Sequence, residues 1–517
     1  MKNILSFLIL PCLLMLMHPG VSCQKIEELD LDKLDKYIEE ARLAWQVPGL
    51  SVAIVKDDSV VFARGYGSKE YGKPGKVDEN TIFSIASITK TFTSSALALL
   101  DDQDKIDWDD PVGKYLPDFV LYDPYVSKEI RIRDLLCHRS GLKTFSGDLI
   151  WYETGYSREE VLNRTRYLKP AHGFRYEFGY SNLAFLAAGE IVPAATGISW
   201  DAFVESEILK PLGMNRTFMN LDGLKNDENV ASPHHVNLVD DETYVLPYMK
   251  WDNVAPAASM NSSAMDLTRW IRFQLELGNW NDKQLISSEN LWETRELHTS
   301  KPPDIGSSRI WPSMHFAGYG LGWELYDYHG WKVIAHEGGS DGMLTRLVIV
   351  PEEDFGFVML TNSISALTIG LEYYILDQYY AGESYDWCNI YLNNAMGYLE
   401  YTDNEWNEYI ESADRSQKPS QSLRDYTGTY SCDLYGDVEV SLKRGSLVLD
   451  FVPSDRLIGD LTAFTKDTFL IDLRDMPAFP QGTVKFELDN AGVVSGLEVY
   501  IPSPDFDFTE LELRRVK

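Results

Sequence analysis

Cysteine is scarce, five in 517 residues. Cys12 falls in an apolar N-terminal run, so Cys23, Cys137, Cys388 and Cys432 are too few for a disulfide framework. No C-x-x-C pair occurs and the nine histidines include no H-E-x-x-H, which leaves zinc chemistry without ligands. Basic charge is also short. Lys plus Arg number 47 against 79 Asp plus Glu, a net −32 that argues against nucleic acid as a partner. There is no glycine-rich phosphate loop and no repeat at solenoid or propeller spacing. Beyond the N-terminus no apolar run approaches the roughly 20 residues that span a bilayer. No metal, cofactor or transmembrane helix is therefore expected.

What remains is an ordinary globular composition, 44% hydrophobic and 24% charged, with enough core for two or more domains. Lys2, the apolar run Ile4–Met17 and the small residues of His18-Pro19-Gly20-Val21-Ser22-Cys23 predict an export signal over 1–23. Gly20-Val21-Ser22-Cys23 loosely matches a lipobox, with Gly20 where Leu is usual, so a soluble and a Cys23-lipidated form both stay open. The mature protein is expected outside the cytoplasm, periplasmic or extracellular. Sequons at Asn163, Asn215 and Asn261 read as chance matches.

Spaced apolar residues predict a helix over 27–46. Leu50–Val55 and Ser59–Ala63 read as a hairpin turning at Asp57-Asp58. A mostly helical middle follows, then strands at Tyr319–Tyr326, Lys332–Ala335, Thr345–Val350 and Phe355–Thr361, and a helix near 365–380. Both chain ends thus feed one antiparallel sheet flanked by helices, with an all-helical region between, an α/β (α+β) arrangement. Residues 386–424 read as a helical connector. Alternating strands over 425–517 predict a small antiparallel barrel or sandwich of about eight strands.

A serine and a lysine three apart on a helix share a face, so the amine can act on the hydroxyl proton. The spacing occurs at Ser22/Lys25, Ser87/Lys90 and Ser140/Lys143. Only the second precedes an apolar helix, with Ile88, Phe92, Ala96, Leu99 and Leu100 in phase. Ser87 would then stand at a helix N-terminus, where backbone N–H groups favour an oxyanion. Alone, the pair reads more readily as an ordinary N-cap and a surface lysine.

Further segments settle the choice. Ser87-Ile88-Thr89-Lys90, Arg133-Asp134-Leu135-Leu136-Cys137-His138-Arg139-Ser140-Gly141-Leu142, Tyr180-Ser181-Asn182, Pro211-Leu212-Gly213-Met214 and His336-Glu337-Gly338-Gly339 occur in that order. From about residue 30 to 375 the chain resembles the serine β-lactamase and penicillin-binding protein superfamily, nearest class C β-lactamases and their esterase and peptidase relatives. The resemblance implies a β-lactamase-like transpeptidase fold over about 25–385, with a lipocalin-like barrel appended. It implies Ser87 as nucleophile and Lys90 and Tyr180 as its proton-handling partners. A phenol is a poor base at its usual pKa of about 10, so Lys90 is expected to stabilise a Tyr180 phenolate. Asn182, His336, Gly338 and Gly339 are expected to meet the substrate, with the Gly339 and Ser87 amides as oxyanion hole.

The third motif departs from the usual Lys-Thr-Gly. Histidine is charged only part of the time near neutral pH, which puts β-lactamase activity itself in doubt. Glu337 is expected to turn away by strand alternation. Gly338-Gly339-Ser340-Asp341-Gly342 also matches the G-x-S-x-G elbow, but the strand-like Met343–Val350 follows it instead of a helix. His234, His235 and His138 read as structural. The expectation is an exported serine hydrolase acting through a Ser87 acyl-enzyme on small esters, amides or peptides. The alternative is an inactive penicillin-binding-protein-like binding or scaffold protein. Oligomeric state is unreadable.

Overall fold

The computed structural model describes residues 29–380, 385–476 and 479–516, so the expected leader at 1–23 lies outside the described residues. Helix α1 (Leu31–Ala44) starts where Asp30 accepts a hydrogen bond from the Lys33 amide at 3.0 Å. Leu34, Ile38 and Ala41 share its buried face. Removing a side chain the size of Leu34 or Ile38 from water contributes roughly 1.5–3 kcal/mol. β1 (Gly49–Lys56) and β2 (Ser59–Gly67) form the expected hairpin. Asp57 and Asp58 turn it at φ 50° and 55°, a left-handed pair that suits strand twist.

Six strands from the far end of the sequence join them: β3 (Thr299–Ser300), β4 (Ala317–Tyr319), β5 (Glu324–Tyr328), β6 (Trp331–Ser340), β7 (Met343–Val350) and β8 (Phe355–Thr361). The antiparallel order is β2-β1-β8-β7-β6-β5-β4-β3. Helices α2 (Thr89–Asp102) and α3 (Asn182–Thr196) belong to the core on one face of the sheet, while α1 and α4 (Leu367–Tyr380) cover the other. β7 and β8, covered on both faces, are buried at every residue, and this is why they read as apolar runs. The single strand read over Tyr319–Tyr326 is in fact two. The chain breaks at 320–323, where Gly322 (φ 86°) passes α2 so closely that a Cβ would lie 3.1 Å from the Lys90 carbonyl oxygen. Among the described residues no single helix is long and apolar enough to cross a membrane, and Cys137, Cys388 and Cys432 are unpaired thiols.

Helix α5 (Trp387–Ser412) leads to a closed barrel of eight antiparallel strands between residues 428 and 515. Its filling is aromatic, with Tyr426, Tyr430, Phe469 and Phe486 in contact inside. The barrel rests on the segment 143–166. Arg456 pairs with Glu153 at 2.5 Å, the Tyr156 hydroxyl donates to the Tyr435 carbonyl at 2.7 Å, and Lys143 meets Asp507 at 2.8 Å.

Candidate active site

Ser87 sits in a tight turn, Ala86–Ile88, at the entrance to α2. Ala86 holds φ 40°, a left-handed conformation that costs a residue with a Cβ on the order of 1 kcal/mol. Backbone hydrogen bonds from Ile85 to Met260 and from Ile88 to Ile85, both 3.0 Å, keep the turn in place. The hydroxyl of Ser87 is therefore presented at a fixed angle, and its side chain does not act as the helix cap.

Lys90, one turn on, is fully buried. Its Nζ lies 2.9 Å from Ser87 Oγ, 2.7 Å from Asn182 Oδ1 and 3.0 Å from the Ala257 carbonyl oxygen. Burial pushes the amine far below the usual lysine range, with only Asp148 pulling the other way. A neutral amine has two hydrogens and one lone pair. Asn182 Oδ1 and the Ala257 carbonyl can only accept, so they take the hydrogens and leave the lone pair facing the Ser87 hydroxyl.

Asn182 is the first residue of α3, where Ser181 caps the helix by accepting from the Ala184 amide. The Asn182 Nδ2 donates to Asp148 Oδ2 at 2.7 Å, which fixes its Oδ1 toward Lys90. Asp148 also accepts from Trp151 Nε1 at 2.9 Å. Burial raises its carboxyl to about 7, against those hydrogen bonds and the pull of Lys90. Nothing in its local sequence singles Asp148 out, and only the fold brings it under the motif asparagine.

Tyr180 lies over Lys90, its ring centroid 4.7 Å from Nζ. The expected phenolate is corrected here. Burial drives the phenol well above its ordinary pKa and the influence of Ser87 offsets this only in part, so the resting group is protonated. His138 braces it. The Ser181 amide donates to His138 Nδ1 at 3.0 Å and the two rings lie 4.3 Å apart. Asp134 holds this segment through Arg139 and Arg175, whose hydrogen bonds outweigh burial and keep its carboxyl low.

On the opposite wall, β6 presents His336, Gly338 and Gly339. His336 is buried, its Nδ1 sits 2.6 Å from the Glu337 carbonyl, and Tyr319 approaches its Nε2 at 2.7 Å. Burial pushes its imidazole down to about 4, although Glu324 pulls upward. Gly338 passes so near the Ser87 turn that a Cβ would stand 2.1 Å from the Ile85 carbonyl oxygen. Gly339 is exposed, whereas its neighbours Gly338 and Ser340 are buried. Glu337 stands opposite Arg346 in the register, a position that alternation places away from His336. Ser340 ends β6 and pairs with Met343 across the Asp341-Gly342 turn, a strand-to-strand connection and not an elbow. His234 cross-links two backbones, with the Tyr71 amide on Nε2 and the Asn362 carbonyl at Nδ1. Asn261 is buried, which shuts that sequon. Among the described residues no three His, Cys, Asp or Glu side chains converge to hold a metal ion.

Ser87, Lys90, Tyr180 and Asn182 thus share one site walled by β6. The family described as Beta-lactamase matches residues 34–379, and a domain of unknown function, DUF3471, matches 412–515. An unguisins hydrolase of Aspergillus violaceofuscus is 26% identical over 437 residues, 79% of this chain and 76% of its own. Protein flp of Staphylococcus aureus is 26% identical over 337 residues, 64% of this chain and 62% of its own. The octameric penicillin-binding protein homologue of Pyrococcus abyssi superposes with TM-score 0.62 at 20% identity, covering 94% of this chain and 100% of that one. A D-stereospecific amidohydrolase of Streptomyces gives 0.54 at 22% identity, over 69% and 100%. With well over half of its length matched and the fold shared, this chain belongs to the beta-lactamase family.

Proposed function

We propose that the protein is a serine hydrolase working through an acyl-enzyme at Ser87. The observation that carries the reading is the Lys90 amine, 2.9 Å from Ser87 Oγ with two acceptors on its other side. Ser87 Oγ attacks the substrate carbonyl carbon while its proton passes to the Lys90 lone pair. The Ser87 and Gly339 amides receive the developing oxyanion. Tyr180 gives its proton to the leaving oxygen or nitrogen and is reprotonated from Lys90. Water then attacks the ester carbonyl, its proton returns through Tyr180 and Lys90, and Ser87 Oγ leaves as the hydroxyl.

Small esters, amides or peptides suit this machinery, as do the names of two relatives, an unguisins hydrolase and a D-stereospecific amidohydrolase. A β-lactam suits it less, because neutral His336 offers no fixed cation for a carboxylate. The leader-like residues 1–23 support export, and the loose lipobox match at Gly20-Val21-Ser22-Cys23 makes Cys23 the residue that would carry a lipid anchor. The test is a fluorophosphonate probe followed by intact mass and peptide mapping, alongside Ser87→Ala. The reading expects one adduct, on Ser87, lost in the variant. Labelling at Ser340 overturns the assigned nucleophile, and no labelling favours a non-catalytic binding protein.

A further inference from the structure

The barrel reaches the candidate lysine through hydrogen bonds to the Ser146-Gly147 turn, the peptide link from Gly147 to Asp148, and the hydrogen bonds that run from Asp148 to Lys90. Glu510, in a short turn before the last barrel strand, accepts from Ser146 Oγ at 2.5 Å and from the Gly147 amide at 2.8 Å. Gly147 holds φ 79° and immediately precedes Asp148. Asp148 in turn takes Asn182 Nδ2, and Asn182 Oδ1 takes Lys90. A second contact braces the other wall. The Tyr152 ring packs 4.2 Å from Phe506 and 5.6 Å from Phe479, both of the barrel, while its hydroxyl donates to Asp341 Oδ2 at 2.7 Å, two residues beyond Gly339.

We infer that Glu510 is a positioning residue for Lys90 and that the barrel is part of the catalytic apparatus. The geometry explains why. The Ser146-Gly147 turn has its hydroxyl and its amide both committed to one carboxylate, so the turn has a single placement while Glu510 is ionised and present. That placement seals Asp148 against Asn182 and keeps water from Lys90. Without Glu510 the turn is released, water enters, and the amine climbs back toward its ordinary range. A contact that merely glued two domains together would leave the lysine's protonation untouched.

The inference rests on the serine hydrolase reading, and its test separates the two. The rate of Ser87 labelling by the fluorophosphonate probe is followed from pH 5 to 10 in the full chain, in Glu510→Gln and Glu510→Ala, and in Lys169→Ala. Lys169 pairs with Glu512 at the same interface but touches nothing in the relay. Thermal unfolding of each variant shows that the fold is kept. Glu510→Ala is expected to slow labelling at pH 7 at least tenfold and to move the low-pH limb of the profile toward higher pH. Glu510→Gln, which keeps one acceptor, should fall between, and Lys169→Ala should match the parent. A Glu510→Ala profile superimposable on the parent, or an equal displacement in Lys169→Ala, overturns the inference. An unlabelled parent would instead overturn the hydrolase reading.

Discussion

The hydroxyl of Tyr319 donates to Nε2 of His336 across 2.7 Å, and this one contact decides what the departure from Lys-Thr-Gly means. Nδ1 donates to the Glu337 carbonyl, and in the neutral ring Nε2 then carries no proton and accepts from Tyr319, which leaves no nitrogen for a substrate. Burial reinforces this by lowering the imidazole to about 4.

A substrate carboxylate should therefore gain nothing from His336 at ordinary pH. In a matched pair of esters, one bearing a carboxylate, the ratio of kcat/KM is expected to stay flat from pH 5.5 to 8. A ratio that rises as pH falls through 6.5 would show an imidazolium and contradict this account.

The proposed mechanism uses Tyr180 as an acid, its phenol kept protonated by burial. Tyr180→Phe should lower kcat by about 10²–10⁴ for an alkyl ester, whose leaving group needs a proton. A p-nitrophenyl ester leaves without one and should lose far less. Equal losses for both leaving groups would return Tyr180 to the role of base.

Asp148 sets a pH dependence of stability whose sign follows from its raised carboxyl. Its pKa is about 7 folded against 3.8 for the free group, so the native state holds a proton that the unfolded chain releases. Stability from this residue is lost as pH climbs between those values, by at most about 4 kcal/mol. Asp148→Asn lacks the titration, so its stability relative to the parent should improve from pH 5 to pH 8 while acylation slows. Urea midpoints at the two pH values check it; a constant gap would mean that Asp148 is ionised throughout.

The motifs carried the site because each fixes a residue within one or two turns of a local element. Ser87 and Lys90 share a helix end, and Tyr180 and Asn182 flank a Ser181 cap. Asp148, Tyr319 and Glu510 had no such mark. Each reaches the site from a different segment, and only tertiary closure makes an aspartate after a glycine different from any loop aspartate. The expectation of a Tyr180 phenolate fails for a related reason: motifs that bring a lysine beside a tyrosine say nothing about how far burial moves both groups. In the barrel, Val438 and Val440 alternate with exposed neighbours and are legible as a strand, whereas a bulge between Ala463 and Thr465 interrupts the alternation of Ile458–Thr465. The break after Tyr319 was likewise invisible, since it answers to α2 and not to its own neighbours.

The central claim is that Lys90 is a neutral amine that takes the Ser87 proton. The pH dependence of Ser87 acylation by a neutral ester, read by mass spectrometry in the parent and in Lys90→Ala, tests it most directly. The account predicts a rate that levels off well below pH 10, with that limb and nearly all of the rate missing in Lys90→Ala. A rate still rising tenfold per pH unit through pH 10, or a Lys90→Ala protein that acylates as the parent does, would contradict it.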